Sequence, residues 1–284
     1  MVIFRGLTFI ILASVLSLSS VYDADGSSAE YTIGVLANRG KIVCLERWQN
    51  TARDLTEAIP DADFTVIPLD FQQIESAVKD GTVDFIITNP SLYVLLENRY
   101  NIECLLTLKN SIDRKASAHY GGVIFTAKET SSIRRYQDLK KKKLAVVSTK
   151  SFGGWYAPLR EISRHNLPSE HIFQKIIDVD TADEVVYMVR NQTADVGFVR
   201  TGIIERMMQE GKIDSEQLYI FPFEGQVSDT LYEYSFLCST QLYPEWPFAK
   251  IKQTDRDISE KVIRVLLAIE RDDLSAIQGG YAGW

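Results

Sequence analysis

The chain is expected to fold as an α/β protein of two lobes, each built on a mostly parallel, doubly wound sheet. Apolar strand-like runs alternate with stretches of helical period along nearly the whole length, the order that builds such a sheet with helices on its faces. The segment Ala77–Tyr93, AVKDGTVDFIITNPSLY, is answered by Met188–Ile204, MVRNQTADVGFVRTGII, with turn, Asp and apolar strand in register. Val78/Val189, Lys79/Arg190, Thr82/Thr193 and Asp84/Asp195 correspond, which points to one supersecondary unit used twice. A hydrophobic content of 45% and a charged content of 24% suit an ordinary globular body.

In chain order, Tyr31–Leu36 reads as a strand that meets the turn Ala37–Gly40 and feeds a helix carrying Trp48, Ala52, Leu55 and Ile59 at helical spacing. Phe64–Pro68 (strand), Phe71–Lys79 (helix), Asp84–Ile87 (strand), Ser91–Asn98 (helix) and Cys104–Leu108 (strand) complete a first series. Tyr120, Gly121 and Gly122 punctuate the chain before the strand Val123–Ala127. A short helix, Ser132–Leu139, and the basic turn Lys140–Lys143, read as solvated, precede a second series. It runs through Leu144–Val147, a helix from Gly154, Ile172–Ile177, a helix at Ala182–Val189, Val196–Val199 and a helix from Gly202. A strand at Tyr234–Cys238 and a helix at Ile258–Ile269 follow, the latter with Ile258, Val262, Val265 and Ile269 on one face. The expected division is a first lobe of residues 31–119 and 230–284 and a second of 120–229, with a hinge where the chain crosses near His119 and Asp229 and a cleft between the lobes.

At the N-terminus Arg5 precedes the apolar run Leu7–Leu18 and a mostly polar stretch, the layout of a secretory signal peptide over residues 1–26, which places the body in the periplasm. No later apolar stretch is long enough to span a bilayer, so no direct membrane insertion is expected after signal removal. The formal charge of −7, from 31 basic and 38 acidic residues, argues against nucleic acid as a partner. Cys44, Cys104 and Cys238 are too few and too irregularly spaced for a disulfide framework or a zinc site; buried free thiols are expected, with a single disulfide as the alternative.

Chemistry concentrates at the turns that follow strands, where open α/β sheets bind ligands. Ser148–Trp155, STKSFGGW, gathers Ser148, Ser151, Gly153 and Gly154 at a helix start, where free N–H groups and the helix dipole favour an anion; a plain Ser cap is the simpler account. The turn Thr88–Ser91, TNPS, has the same design, with Pro90 suited to a first helical turn and Tyr93 close behind. Arg39 on the first turn and Arg200 with Thr201 on the repeated turn add guanidinium groups, so that strand ends of both lobes would present donors to one small oxyanion. Phe152, Trp155, Tyr93, Trp48 and Tyr120 would wall the cleft if they are not plain core. Catalytic motifs are poor: His119, His165 and His171 lack metal-ligand spacing, and neither a G-x-S-x-G elbow nor a phosphate-binding loop is present, so no cofactor is expected. Cys44 is the one candidate nucleophile if the fold serves an enzyme.

The segments VLANRG, PLDF, VDFIITNPSLY, GGVIFT, SFGGW, VRTG, LYPEWPFAK and GGYAGW resemble the periplasmic phosphate/phosphite/phosphonate-binding-like solute-binding family, especially the version at the N-terminus of tetrathionate-sensor-type bacterial histidine kinases. The likeness runs over essentially all of Tyr31–Trp284. It implies a type II periplasmic binding protein that closes on a small anion such as tetrathionate, a phosphonate or phosphite without transforming it. It also implies a partner, either a membrane sensor kinase of a two-component system or the permease of an ABC importer. The loops that match the family's binding loops are Asn38–Gly40, Thr88–Ser91, Ser148–Gly154 and Arg200–Thr201.

Overall fold

The computed structural model describes residues 28–168, 170–223, 234 and 236–284. The expected signal segment and the expected crossing at Asp229 lie outside the described residues.

The first series folds as β1 (Ala29–Leu36), α1 (Lys41–Ala58), β2 (Ala62–Leu69), α2 (Gln73–Asp80), β3 (Phe85–Ile87), α3 (Pro90–Tyr100) and β4 (Glu103–Thr107). A hairpin, β5 (Asn110–Ile112) and β6 (Lys115–Ser117), leads to the crossing strand β7 (His119–Tyr120). The second series is β8 (Gly122–Ala127), β9 (Lys143–Val146), α4 (Ala157–Arg164), β10 (Lys175–Asp178), α5 (Ala182–Arg190), β11 (Val196–Arg200), α6 (Ile203–Gln209) and β12 (Leu218–Ile220). β13 (Tyr243–Pro244), β14 (Pro247–Lys250), α7 (Arg256–Ala268) and α8 (Leu274–Gly279) close the chain.

Two five-stranded sheets result, ordered β2-β1-β3-β14-β4 and β10-β9-β11-β8-β12. Both depart from the mostly parallel expectation in the same way. Three neighbouring strands are parallel, and the fourth, β14 or β8, is antiparallel to both of its neighbours. The reason is topological: each fourth strand is laid down just after the chain has crossed from the other lobe, and it enters from the opposite end. The crossings themselves pair as a two-stranded ribbon, with Tyr243 opposite Tyr120 and Pro244 opposite His119.

The internal repeat is physical as well as textual. β3 and β11 occupy the same central place in their sheets. Asp84 accepts the Thr32 backbone N–H at 2.8 Å, and Asp195 accepts that of Lys143 at 2.8 Å, so each carboxylate ties its strand to the start of the neighbouring one. The preceding turns match too, with Thr82 N–H donating to the Ala77 carbonyl at 3.0 Å and Thr193 N–H to that of Met188 at 2.8 Å.

Three local expectations change. The helix at Ser132–Leu139 shrinks to a 3-10 turn, Tyr136–Leu139, and the strand at Ile172–Ile177 becomes a 3-10 turn, Glu170–Ile172, followed by β10. The segment around Tyr234–Cys238 joins no ladder. Instead the Ser239 and Thr240 hydroxyls accept the N–H groups of Ile124 (3.0 Å) and Gly122 (2.9 Å) on β8. With the Ser239 N–H donating to the Gly122 carbonyl at 2.8 Å, these hydroxyls hold the segment to the second sheet, and the chain returns to the first sheet beyond Thr240.

One apolar core covers the first sheet and takes in Trp48 and Leu55 of α1 and Val262 and Leu266 of α7; two others line the faces of the second sheet. Alternation along β8 divides those two, with Val123 and Phe125 on one face and Ile124 on the other. The C-terminal GGYAGW packs on α1, where Trp48 stacks on Tyr281 at 5.7 Å between ring centres and meets Trp284 at 5.9 Å. The three cysteines are free, but only Cys44 is buried; Cys104 is exposed on β4 and Cys238 is intermediate, which corrects the expectation of three buried thiols.

If the paired aspartates are equivalent, Asp84→Ala and Asp195→Ala should each lower stability by about 1–3 kcal/mol, the cost of leaving one backbone donor without its charged acceptor. Urea unfolding of the two variants should give similar losses.

Candidate functional site

The carboxyl ends of β1, β3, β9 and β11 face one another across the gap between the sheets. A narrow cavity of about 20 Å³ lies there, lined by Asn38, Asn89, Tyr120, Ser151, Gly153, Gly154, Arg200 and Trp246 among others. Asn89 is placed by its own helix. Its Oδ1 caps α3 by accepting the N–H groups of Ser91 (3.0 Å) and Leu92 (3.1 Å), which leaves the buried Nδ2 without a partner. The Tyr120 hydroxyl and the Trp246 indole N–H are likewise buried without a well-formed hydrogen bond, although they lie close enough for the indole to bear on the phenol oxygen, and Thr88 Oγ1 is a fourth such atom beside Asn89. Unpaired buried donors are costly and rare, so several converging on one cavity mark a place built for acceptors.

On the opposite lobe Ser151 Oγ accepts the Gly154 N–H at 3.1 Å and caps the single wide turn Phe152–Tyr156 that opens α4. The first N–H groups of that turn have no partner within the helix. Gly153 is needed for proximity: a Cβ there would lie 2.8 Å from Arg200 Cβ and 2.9 Å from the Gly121 carbonyl oxygen. Arg200 is 8% exposed and pairs with Glu245, itself 1% exposed. Its guanidinium lies over the rings of Tyr120 at 4.5 Å and Trp246 at 5.2 Å. Burial, ahead of every other influence, pushes the Tyr120 phenol well above its ordinary range, so it stays a neutral donor.

Arg39 is placed differently from the expectation. It is 6% exposed and holds Asp183 through Nε at 2.6 Å and Nη2 at 2.8 Å, and Glu210 through Nη1 at 2.8 Å and Nη2 at 2.7 Å. With the Ala182 N–H donating to the Asn38 carbonyl at 3.0 Å, this is a clasp from one lobe to the other rather than a donor set turned to the cavity. Ser91 makes a second clasp, donating to the Lys150 carbonyl at 3.0 Å. Tyr93 points away from the cavity; its hydroxyl donates to Glu97 at 2.6 Å and accepts the Cys104 N–H at 3.2 Å. Thr201 steadies the crossing, where its Oγ1 accepts the Tyr234 hydroxyl at 2.8 Å, and Ser148 caps its own turn by accepting the Lys150 N–H at 3.1 Å. Phe152 contacts Tyr120 and Tyr243 edge-on or tilted, at 6.1 and 4.7 Å between ring centres, behind the cavity wall.

Thus the structure brings Asn89, Ser151, Gly153, Gly154 and Arg200 to one cavity, and Thr88 beside it. Trp246 and Glu245 were missed, although the YPEWPFAK motif carries both; a buried carboxylate next to a Trp before a Pro was the available signal. Burial raises the Cys44 thiol to about 12, against the thiolate a nucleophile requires.

Two α/β lobes joined by a paired crossing, with a cavity between strand ends of both, have the architecture of a two-lobed binding protein. The chain belongs to the family described as "ABC transporter, phosphonate, periplasmic substrate-binding protein", whose model matches residues 33–281. A tetrathionate sensor histidine kinase of Salmonella typhimurium is 30% identical over 236 residues, 83% of this chain and 39% of that protein. The chain therefore spans about two fifths of that relative's length. Among solved structures, the binding component of an ABC phosphonate transporter from Pseudomonas aeruginosa superimposes with a TM-score of 0.69 at 14% identity, over 90% of this chain and 81% of that one. PhnD1 of Prochlorococcus marinus in complex with methylphosphonate gives 0.68 at 13% identity, over 89% of each chain. No helix among the described residues is long and apolar enough to cross a membrane.

The Arg39 clasp has a pH signature. Its hydrogen bonds, above all, depress the Glu210 carboxyl from 4.5 to about 2. A depressed carboxyl contributes fully above its ordinary pKa and loses that contribution as pH falls toward the lowered value. Small-angle X-ray scattering should therefore show the parent losing compactness as pH falls from about 4.5 toward 2. Arg39→Ala should be more open already at neutral pH.

Proposed function

We propose that this chain is a periplasmic receptor that closes its lobes on a small oxyanion and passes the closed state to a membrane partner, with no chemistry performed on the ligand. The observation that carries this reading is the donor set of Asn89 Nδ2, Tyr120 Oη and Trp246 Nε1, buried, unpartnered and gathered with Arg200 on one cavity. Such a set offers mostly donors, the Tyr120 oxygen being the one atom in it that can also accept, which suits an oxyanion such as tetrathionate, a phosphonate or phosphite. Residues 1–26 would direct the chain across the inner membrane. The lobes, residues 31–119 with 230–284 and 120–229, would swing about the β7–β13 ribbon, with the Arg39 and Ser91 clasps closing them.

A sensor output is favoured by the likeness to the tetrathionate sensor kinase, which extends over most of this chain. Delivery to the permease of an ABC importer is the second reading, supported by the family description. An enzyme using Cys44 is the third, and the raised thiol weighs against it.

Thermal shifts with tetrathionate, thiosulfate, sulfate, phosphate, phosphite and methylphosphonate test the reading. A ligand at a hundredfold its Kd should add about 2.7 kcal/mol of stability, and silence across the panel would sink the oxyanion reading. Tyr120→Phe keeps the ring and deletes a hydroxyl that has no protein partner, whereas Trp246→Phe keeps an aromatic ring but deletes the indole N–H together with part of the ring under Arg200. Tyr120→Phe should leave the ligand-free protein as stable as the parent or more so, Trp246→Phe should cost some stability through the lost ring, and each should weaken the panel's best ligand by about 1–3 kcal/mol in calorimetry. Unchanged affinity in both would remove these donors from the site. Cys44→Ser should bind as the parent does, and no product should form from any ligand of the panel.

A further inference from the structure

A larger cavity of about 500 Å³ adjoins the first and shares Asn38 and Trp246 with it. Arg47 of α1 and Arg206 of α6 line it, one from each lobe. Neither makes an ion pair within 4.0 Å among the described residues, whereas every cation around them is matched: Arg39 and Lys212 by Asp183 and Glu210, and Arg200 by Glu245. Of the two acidic residues lining this cavity, Glu210 is engaged by Arg39 and Lys212, and Glu46 is exposed.

What holds the two guanidiniums is neutral. Asn110 Oδ1 accepts both Arg47 Nη2 at 3.2 Å and Arg206 Nη2 at 2.9 Å. Backbone carbonyls take the rest: Gly279 accepts Arg47 Nε at 2.5 Å, and Gly280 and Ser111 accept Arg206 Nη2 at 2.8 and 3.1 Å. Gly280 sits at φ 60, and a Cβ there would come within 2.2 Å of Arg206 Nη1, so the turn admits this guanidinium only because it is glycine. Two like charges are thus fixed beside one another, each with an Nη1 that has no hydrogen bond among the described residues. Burial first, and repulsion from neighbouring guanidiniums next (Arg206 and Arg200 acting on Arg47, Arg200 and Arg39 acting on Arg206), lower both pKa values, that of Arg206 to about 10, which still leaves it charged at neutral pH. A bound anion would relieve that repulsion.

We propose that the Arg47–Arg206 cavity takes the second anionic head of an elongated dianion whose first head occupies the Asn89–Tyr120–Trp246 cavity. The ligand class is a molecule with two oxyanionic ends joined by a short, weakly polar linker that passes the Trp246 indole. This rests on the oxyanion reading above. Because Arg47 and Arg206 come from different lobes, a two-headed ligand would also bind the lobes together, and linking two heads makes the second contact intramolecular.

Titration calorimetry on the full chain decides the matter with two probe pairs, methanesulfonate against ethane-1,2-disulfonate and methylphosphonate against ethane-1,2-diphosphonate. The parent should bind the two-headed member of at least one pair about tenfold or more tightly than its one-headed partner, as expected for an added charge-assisted contact. Arg47→Gln and Arg206→Gln should each abolish most of that preference and change one-headed affinity by less than about threefold, with Arg206→Lys keeping more of it than Arg206→Gln. A parent that binds one-headed probes as tightly as two-headed ones, or Gln variants that keep the preference, would overturn this proposal and leave the oxyanion reading standing. A parent that binds none of the four probes, and none of the earlier panel, would overturn both. The comparison within the parent needs no variant, so it holds even if Arg206→Gln folds poorly.

Discussion

The Arg200–Glu245 pair is the interaction on which the geometry of this molecule turns. Arg200 ends the central strand of the second sheet, and Glu245 lies between β13 and β14, where the chain returns to the first. Both are buried, so neither charge could be left alone there without a large desolvation cost. Glu245 also accepts the backbone N–H of Trp246 at 2.9 Å, leaving the indole N–H to the cavity, and donates its own N–H to the Ala118 carbonyl at 2.8 Å. The pair therefore fixes both crossing strands and the two aromatic rings that stack on the guanidinium. Those rings carry the unpartnered Tyr120 hydroxyl and Trp246 N–H, so the ion pair that joins the lobes also aims the donors.

Around this fulcrum the lobes divide the work. The first lobe supplies neutral donors from a helix cap, with Asn89 serving the backbone through its oxygen and the cavity through its nitrogen. The second supplies a glycine-lined turn that lets the main chain approach closely. Charge is kept mostly at the rim, where Arg39 meets Asp183 and Glu210, and where Arg47 and Arg206 stand without carboxylates. Contacts of the Arg39 kind cross between lobes, which is the arrangement that the proposed closure would use.

Membership of a phosphonate-type periplasmic binding family sets the frame, and the residues around the cavity give it a particular chemistry. A cavity rich in donors and poor in acceptors selects by charge and geometry more than by shape, since each misplaced acceptor would leave a buried donor unpaired.

The strand and helix order was legible in the sequence because hydrophobic period is a local property, recorded residue by residue. The repeat was legible for the same reason: a turn, an Asp and a buried strand carry their own hydrogen bonds, and Asp84 and Asp195 satisfy the neighbouring strand in the same way. The strand-end turns at Asn89 and Ser151 could be located because caps are short-range chemistry. What no local pattern contains is the partner of a long side chain. Arg39 and Arg200 look alike in sequence, yet one is engaged by carboxylates 144 and 171 positions away and the other is stacked between rings beside the cavity. The antiparallel fourth strands, Tyr93 facing β4, and Trp246 and Arg206 facing the cleft were decided by tertiary structure alone. Ion pairing and burial depend on which distant segments the crossings bring together.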